Sequence, residues 1–300
     1  MGSKKTVMAE NFTLDFIGIG VARCGTSWIL ECLNEHPQIC TPKARELAYF
    51  STDPLWRTTT NHHKGENWLK KCFSHSKLGQ IQGEYTTTYI SDTSSPKLIK
   101  ERNPNAKIVV SYRNPVDRLY SFYHMMNRLY PTIDTFEEFI ERDSMYIESG
   151  FYFTQTQRFL KLFDKKKFFF AVYDDIPEKP EAIIKDLYDF LEVDSNFIPS
   201  CLYNKVNTAN GVKSTFIKDI MGNTAEFLKS SSLGLKLNRF LDSIGIHDLA
   251  RWVHYRNLKA TEFPPMKQET RSHLIDIYSK ENCLLGDLIN RDLSSWNEHP

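Results

Sequence analysis

Three short apolar runs set the frame of this chain. Residues 14–21 (LDFIGIGV), 107–112 (KIVVSY) and 167–173 (KFFFAVY) are apolar along most of their length and rich in β-branched and aromatic side chains. Runs of that length and character read as strands buried on both faces. Each is followed by a segment whose apolar positions recur at helical spacing. Trp28, Ile29, Cys32 and Leu33 fall on one side of a helix that stops near His36-Pro37. Pro115 opens a second helix running to about Leu129, and residues 180–192 form a third after Pro177. Strands that each lead into a helix predict an α/β fold: three layers, α/β/α, around a central parallel sheet with helices on both faces.

Other helices lie between these units. Thr135 and Glu138 have the spacing of a capping box at the start of TFEEFIER. Residues 154–163 (TQTQRFLKLF) place Phe159, Leu160 and Phe163 on one side, and Pro264-Pro265 breaks the chain before a last helix over 267–289. Residues 213–262 read as mostly helical, interrupted by Ser230-Ser231-Ser232 and by glycines, and suit an insertion or cover over a site. No repeat or linker composition divides the chain. The expectation is one domain over residues 1–300, with a short tail over 1–12.

Composition changes this picture little. The chain has 300 residues, 41% hydrophobic and 25% charged, which is ordinary for a folded globular protein. A formal net charge of +1 gives no global field for nucleic acid, so any anion site must be local. Met1 to Lys5 lacks the pattern of a signal peptide, and no run of 18 apolar residues predicts a membrane span. The six cysteines contain no C-x-x-C pair and no zinc spacing. Sparse cysteines of this kind are expected to be reduced, in a cytoplasmic protein with no metal.

Chemistry concentrates where the first two strands end. Gly20-Val21-Ala22-Arg23-Cys24-Gly25 has the glycine spacing of a phosphate loop, followed by Thr26-Ser27 at a helix start. A helix N-terminus offers free N–H groups and the positive end of a dipole, and the glycines let the backbone approach an anion. A nucleoside-triphosphate loop continues with Lys-Ser/Thr, the lysine reaching the terminal phosphates and the hydroxyl ligating magnesium. This loop is P-loop-like but lacks that lysine, and its charge sits inside the turn as Arg23. At the end of the second strand Arg113-Asn114-Pro115 leads into a helix bearing Ser121 two turns on. An arginine fork with a serine hydroxyl makes a receptor for a second phosphate. Arg118 reads as structural, paired with Asp117 or facing solvent. A nucleotide-dependent kinase or phosphotransferase, and a non-catalytic nucleotide-binding module, remain alternatives for the same loop.

Together the two segments resemble the signatures of sulfotransferases that use 3′-phosphoadenosine 5′-phosphosulfate (PAPS). Gly20 to Thr26 is similar to the family's G-x-[KR]-x-G-T, and Arg113-Asn114-Pro115 through Arg118 and Ser121 is similar to its R-[DN]-P-x-x-R-x-x-S. Residues 36–50 (HPQICTPKARELAYF), 83–90 (GEYTTTYI) and the closing Arg291-Asp292-Leu293-Ser294-Ser295-Trp296 resemble segments of the heparan sulfate and bacterial branch, which includes N- and 3-O-sulfotransferases.

The resemblance implies a cofactor site of Ala22, Arg23, Cys24, Gly25, Thr26 and Ser27 for the 5′-phosphosulfate, with Arg113 and Ser121 for the 3′-phosphate. It implies Glu46 as general base, Arg23 stabilising charge on the leaving group, and no required metal. Lys43, Glu84 and Tyr85 become candidates for contact with a carbohydrate or small-molecule acceptor bearing a hydroxyl or amine. Cys24 stands where other members carry Ser or Gly, and a thiol beside Arg23 and a helix N-terminus is expected to be reactive. Residues 204–213 resemble a loop that covers the cofactor.

Overall fold

The computed structural model describes residues 12–52, 60–129, 135–203, 210–212, 258–260 and 266–300. By its internal contacts the chain divides into two units. The first is Met1–Tyr123, Thr135–Val206 and Met266–Pro300; the second is His124–Asp134 and Asn207–Pro265.

The first unit is built on a five-stranded sheet. Its strands are β1 (Phe16–Gly20), β2 (Ile39–Cys40), β3 (Ile81–Tyr85), β4 (Lys107–Tyr112) and β5 (Phe168–Val172), in the order β2-β3-β1-β4-β5. Every pairing is parallel. The three expected strands are present as β1, β4 and β5, and β2 and β3 extend the sheet on the other side of β1. The chain leaves β1 towards β2 and β3, whereas it leaves β4 towards β5. Adjacent strands whose connections depart in opposite directions open a crevice at their C-terminal ends, the usual ligand position in such sheets.

Side chains on alternate positions feed two separate cores, which makes the three layers. Ile17 and Ile19 of β1, with Ile108, Val110 and Tyr112 of β4, join one apolar cluster; Phe16 and Val109 join the other. The second cluster is closed by α1 (Thr26–Glu35) and α9 (Pro180–Leu191), through Trp28, Ile29, Cys32 and Leu33 of α1 and Ile184, Leu187 and Tyr188 of α9. The first takes Tyr152 and Phe159 of α7 (Tyr152–Leu160) and Leu285 of the long C-terminal helix α10 (Gln268–Ile289).

The remaining α-helices among the described residues are α2 (Gly65–Cys72), α3 (Ser95–Arg102), α4 (Pro115–Leu129), α5 (Phe136–Arg142), α6 (Met145–Glu148) and α8 (Asp175–Glu178). Helix α5 opens on the expected capping box: the Glu138 N–H donates to Thr135 Oγ1 and the Thr135 N–H to Glu138 Oε2. No helix among the described residues is long and apolar enough to cross a membrane.

Of the second unit, the described residues comprise 124–129 at the end of α4 and two short antiparallel strands, β6 (Asn210–Val212) and β7 (Leu258–Ala260). Residues 258–260 are therefore extended, where the sequence suggested helix. The rest of the 213–262 segment, residues 204–209 and 213 of the expected covering loop, and residues 1–11 of the tail lie outside the described residues.

Candidate active site

The loop after β1 is shaped by three left-handed or glycine-only conformations. Gly20 has φ 150°, Arg23 φ 73° and Gly25 φ 79°. A Cβ on Gly20 would lie 2.8 Å from the Thr87 carbonyl oxygen, and backbone cannot yield there as a flexible side chain would. Gly25 forms the N-cap of α1, and no side chain caps it. The N–H groups at the very start of a helix have no partner within it, so α1 presents those of Thr26 and Ser27 at the C-terminal edge of the sheet, while the Trp28 N–H donates to the Gly25 carbonyl (3.0 Å).

Neighbouring β4 holds this loop in place. Ser111 accepts the Val21 N–H at its carbonyl (3.0 Å), and its hydroxyl donates to the Cys24 carbonyl (2.6 Å). Both contacts are buried, and Ser111 is the polar residue within the buried run that follows Lys107.

The second half of the site starts one residue beyond β4. The Asn114 side-chain oxygen accepts from the N–H groups of Val116 (3.0 Å) and Asp117 (3.4 Å), so Asn114 caps α4, with Pro115 at its first position. This cap fixes where α4 begins and hence where Ser121 falls. Arg23 Nε donates to Ser121 Oγ at 3.0 Å, joining residues 98 positions apart. Arg113 Nη1 reaches the Arg23 carbonyl in a long contact of 3.5 Å, and its guanidinium lies 4.5 Å from the centre of the Tyr173 ring. The structure therefore brings Arg23, Arg113 and Ser121 together at the start of α1. Two guanidinium groups converging on a helix N-terminus give a local positive potential that suits a polyanion.

Tyr173 went unrecognised in the sequence. It follows β5, and a Cβ on Gly25 would meet its ring at 3.1 Å. The closing motif explains how Tyr173 is supported. Arg291 pairs with Asp175, and Trp296 Nε1 donates to Asp174 Oδ2 (3.0 Å), so the C-terminal segment braces the two residues that follow Tyr173.

Glu46 lies half-buried in the segment that follows β2, with φ 54°. Thr87 Oγ1 donates to Glu46 Oε1 at 3.1 Å. Because the Thr87 carbonyl abuts Gly20, this one residue ties the Glu46 carboxylate to the start of the phosphate loop. The Thr87 hydroxyl is what this link requires, and Thr87 was not among the candidate site residues of the sequence. Ala22 is half-buried in the loop, and in the first turn of α1 Thr26 is buried and Ser27 half-buried.

Several expected roles need correction. Glu84 and Tyr85 are buried and do not face an acceptor. Tyr85 packs its ring over Gly18, where a Cβ would lie 2.1 Å from it, and its hydroxyl donates to the Gly20 carbonyl at 2.8 Å. Glu84 is wholly buried and accepts from Thr86 Oγ1 (2.9 Å) and the Tyr89 hydroxyl. Lys43 needs no such correction, since it is exposed, and its neighbour Arg45 pairs with Glu31 on α1. Arg118 is structural as expected but with other partners. It is buried and donates to the Tyr146 carbonyl (3.2 Å) and Ser149 Oγ (2.8 Å), while Asp117 pairs with Arg271 at 2.8 Å.

Cys24 is also not the reactive thiol its position suggested. Its side chain is fully buried, so only its backbone is available to line the loop, and burial pushes the thiol up to about 12 against the pull of Arg118, Arg113 and Arg23. In the folded protein at neutral pH, iodoacetamide should label the exposed Cys283 and leave Cys24 unmodified, read by peptide mass mapping. Rapid native labelling of Cys24 would contradict its burial.

A family model described as "Sulfotransferase domain" matches residues 14–242, well over half of the chain. The chain belongs to the sulfotransferase family. The match begins just before β1 and takes in the whole sheet, both arginines and Glu46. Among curated sulfotransferases, it is 25% identical over 323 residues to the membrane-associated sulfotransferase kil1 of Dictyostelium discoideum, spanning 94% of this chain and 66% of that protein. It is 26% identical over 182 residues to heparan sulfate glucosamine 3-O-sulfotransferase 3B1 of Mus musculus, spanning 58% of this chain and 44% of that one. The chain thus spans about two thirds or less of the length of these relatives. In fold it is similar to a sulfotransferase from Alicyclobacillus acidocaldarius, with a TM-score of 0.68, 21% identity, and coverage of 96% of this chain and 100% of that one.

Proposed function

We propose that this sulfotransferase domain moves a sulfuryl group from PAPS to a hydroxyl or amine of a carbohydrate or small-molecule acceptor, without a metal, with Glu46 as general base. The observation that carries the reading is the hydrogen bond between Arg23 and Ser121, with Arg113 against the same loop. It makes one cationic patch of two motifs that sequence separates by about ninety residues. The residues fit the donor: an uncapped helix N-terminus with Arg23 suits the 5′-phosphosulfate, and Arg113 with Ser121 suits the 3′-phosphate. Bound there, PAPS would supply the activated sulfuryl group.

The chain's own contributions follow from chemistry. N–H dipoles and guanidinium charge stabilise negative charge on a leaving phosphate without a metal ion. Arg23 does this as a fixed cation rather than a proton donor, because a guanidinium does not deprotonate in this range. Glu46 accepts the acceptor's proton, and Thr87 orients its carboxylate. A carbohydrate acceptor is supported by relatives named as heparan sulfate sulfotransferases, among them the bifunctional N-deacetylase/N-sulfotransferase 1 of Caenorhabditis elegans. A cytoplasmic setting is part of the same proposal and rests on the sparse cysteines of the sequence, which contain no C-x-x-C pair.

The test pairs binding with turnover. Calorimetry should show tight binding of adenosine 3′,5′-bisphosphate in the presence of EDTA. Radiolabelled PAPS should deliver label to a member of a panel of glucosamine oligosaccharides, alcohols and phenols, also with EDTA present. Magnesium-dependent ATP turnover with no affinity for the bisphosphate would assign the domain to phosphoryl transfer instead.

A further inference from the structure

Glu84 is a buried carboxylate without a part in the reaction as proposed above. It lies near the end of β3, paired in register with Ile17 of β1, and it is 0% exposed. Burying such a group is costly unless its oxygens are well used. They accept two hydroxyl protons, one from Thr86 Oγ1 at 2.9 Å and one from Tyr89.

What those hydroxyls do on their other side is informative. Thr86 Oγ1 accepts the Ala48 N–H at 3.0 Å, and the Tyr89 oxygen accepts the Phe50 N–H at 3.1 Å. A hydroxyl whose proton is committed to a carboxylate must turn its lone pairs elsewhere. Glu84 thereby sets both groups as acceptors for two N–H groups on a single segment. Burial and the neighbouring Glu84 charge hold the Tyr89 phenol well above its ordinary value, so it remains the proton donor.

The segment so held is the one that carries Glu46. Its backbone is in the left-handed region at both Glu46 (φ 54°) and Ala48 (φ 47°), a conformation that non-glycine residues adopt only when their surroundings impose it. The Thr87 hydroxyl, between Thr86 and Tyr89 in the chain, holds the Glu46 carboxylate itself. Residues 84–89 therefore grip 46–50 at three points, and two of the three depend on Glu84.

We infer that Glu84 is a positioning residue: through Thr86 and Tyr89 it holds the backbone of residues 46–50 so that the Glu46 carboxylate is presented for proton abstraction. Its effect on turnover rests on the reading of Glu46 as the base; its effect on the segment does not. A glutamine at position 84 keeps the size but has one acceptor oxygen instead of two, so one hydroxyl loses its proton acceptor and its orientation.

Two measurements separate these layers. In hydrogen–deuterium exchange with adenosine 3′,5′-bisphosphate present, Glu84→Gln and the milder Tyr89→Phe should speed exchange in the peptide covering residues 46–51, with α1 and α9 unchanged. Unchanged exchange in both variants overturns the positioning role, whether or not the domain transfers sulfuryl groups. In turnover, Glu84→Gln should lower kcat about 100-fold, the scale of a roughly 1 Å misplacement, with KM for PAPS unchanged. In a Glu46→Gln background it should cost nothing further, because it acts through Glu46. An equal loss in both backgrounds, or a loss expressed in KM, overturns the action through Glu46. If Glu84→Gln does not fold, Tyr89→Phe carries the same cycle. A wild-type domain that transfers nothing to any acceptor removes the proposed function and leaves the exchange result to decide the positioning role.

Discussion

Replacing Glu46 by glutamine should abolish sulfuryl transfer while leaving the nucleotide site intact. General-base catalysis contributes roughly 100- to 10,000-fold, and an amide of the same shape removes it. Glutamine keeps a side-chain oxygen for the Thr87 hydroxyl, so the 3.1 Å contact that orients the group is retained and the segment keeps its place. The expected result is a kcat reduced by at least about 100-fold, with unchanged affinity for adenosine 3′,5′-bisphosphate and an unchanged melting temperature. Measured with radiolabelled PAPS, transfer at the wild-type rate would remove Glu46 as the base. A parallel loss of bisphosphate affinity would mean that the variant damages the donor site, and the assignment would fail on different grounds.

Arg113→Ala should produce the largest change in donor affinity. The guanidinium is half-buried, lies over the Tyr173 ring, and reaches the carbonyl of Arg23. Truncating one partner of a buried, hydrogen-bonded charge pair costs roughly 2–4 kcal/mol, which is about 30- to 1,000-fold in Kd. If Arg113 holds the 3′-phosphate, the loss should appear with adenosine 3′,5′-bisphosphate and largely vanish with adenosine 5′-monophosphate, which lacks that group. Arg113→Lys should fall between, because it keeps the charge but not the fork or the flat stacking surface. Equal losses with both nucleotides would show that Arg113 acts by ordering the Arg23 loop rather than by touching the 3′-phosphate.

How much of this was legible in the sequence depended on where each residue sits in the sheet. Strands β1, β4 and β5 have helices on both faces and so read as continuous apolar runs. Strand β2 has only two residues, too few for a pattern, and β3 (IQGEY) hides a buried interior strand behind Gln82 and Glu84. Glu84 also misled the site reading: its place in the family-like segment GEYTTTYI suggested contact with an acceptor, yet it is buried and two hydroxyls satisfy it. The position of Tyr85 was readable in principle: Gly18, opposite it in register, leaves the space that its ring fills. The two segments proposed to bind anions were legible because helix starts after buried strands leave local signals in glycine, asparagine and proline. The Thr87–Glu46 link and the bracing of Tyr173 depend on contacts between distant segments, for which no local spacing exists.

The bond between Arg23 and Ser121 has a consequence for how the molecule assembles. Neither half of the proposed anion pocket is complete until β4 has docked beside β1, so the pocket would exist only once the sheet centre has formed. If the proposed site holds a bisphosphate, binding would stabilise that docked pair by mass action, and the stabilisation should spread to the whole sheet rather than to the loops alone. A fragment ending before β4 would retain the glycine loop and have no pocket, because the serine that receives Arg23 would be missing.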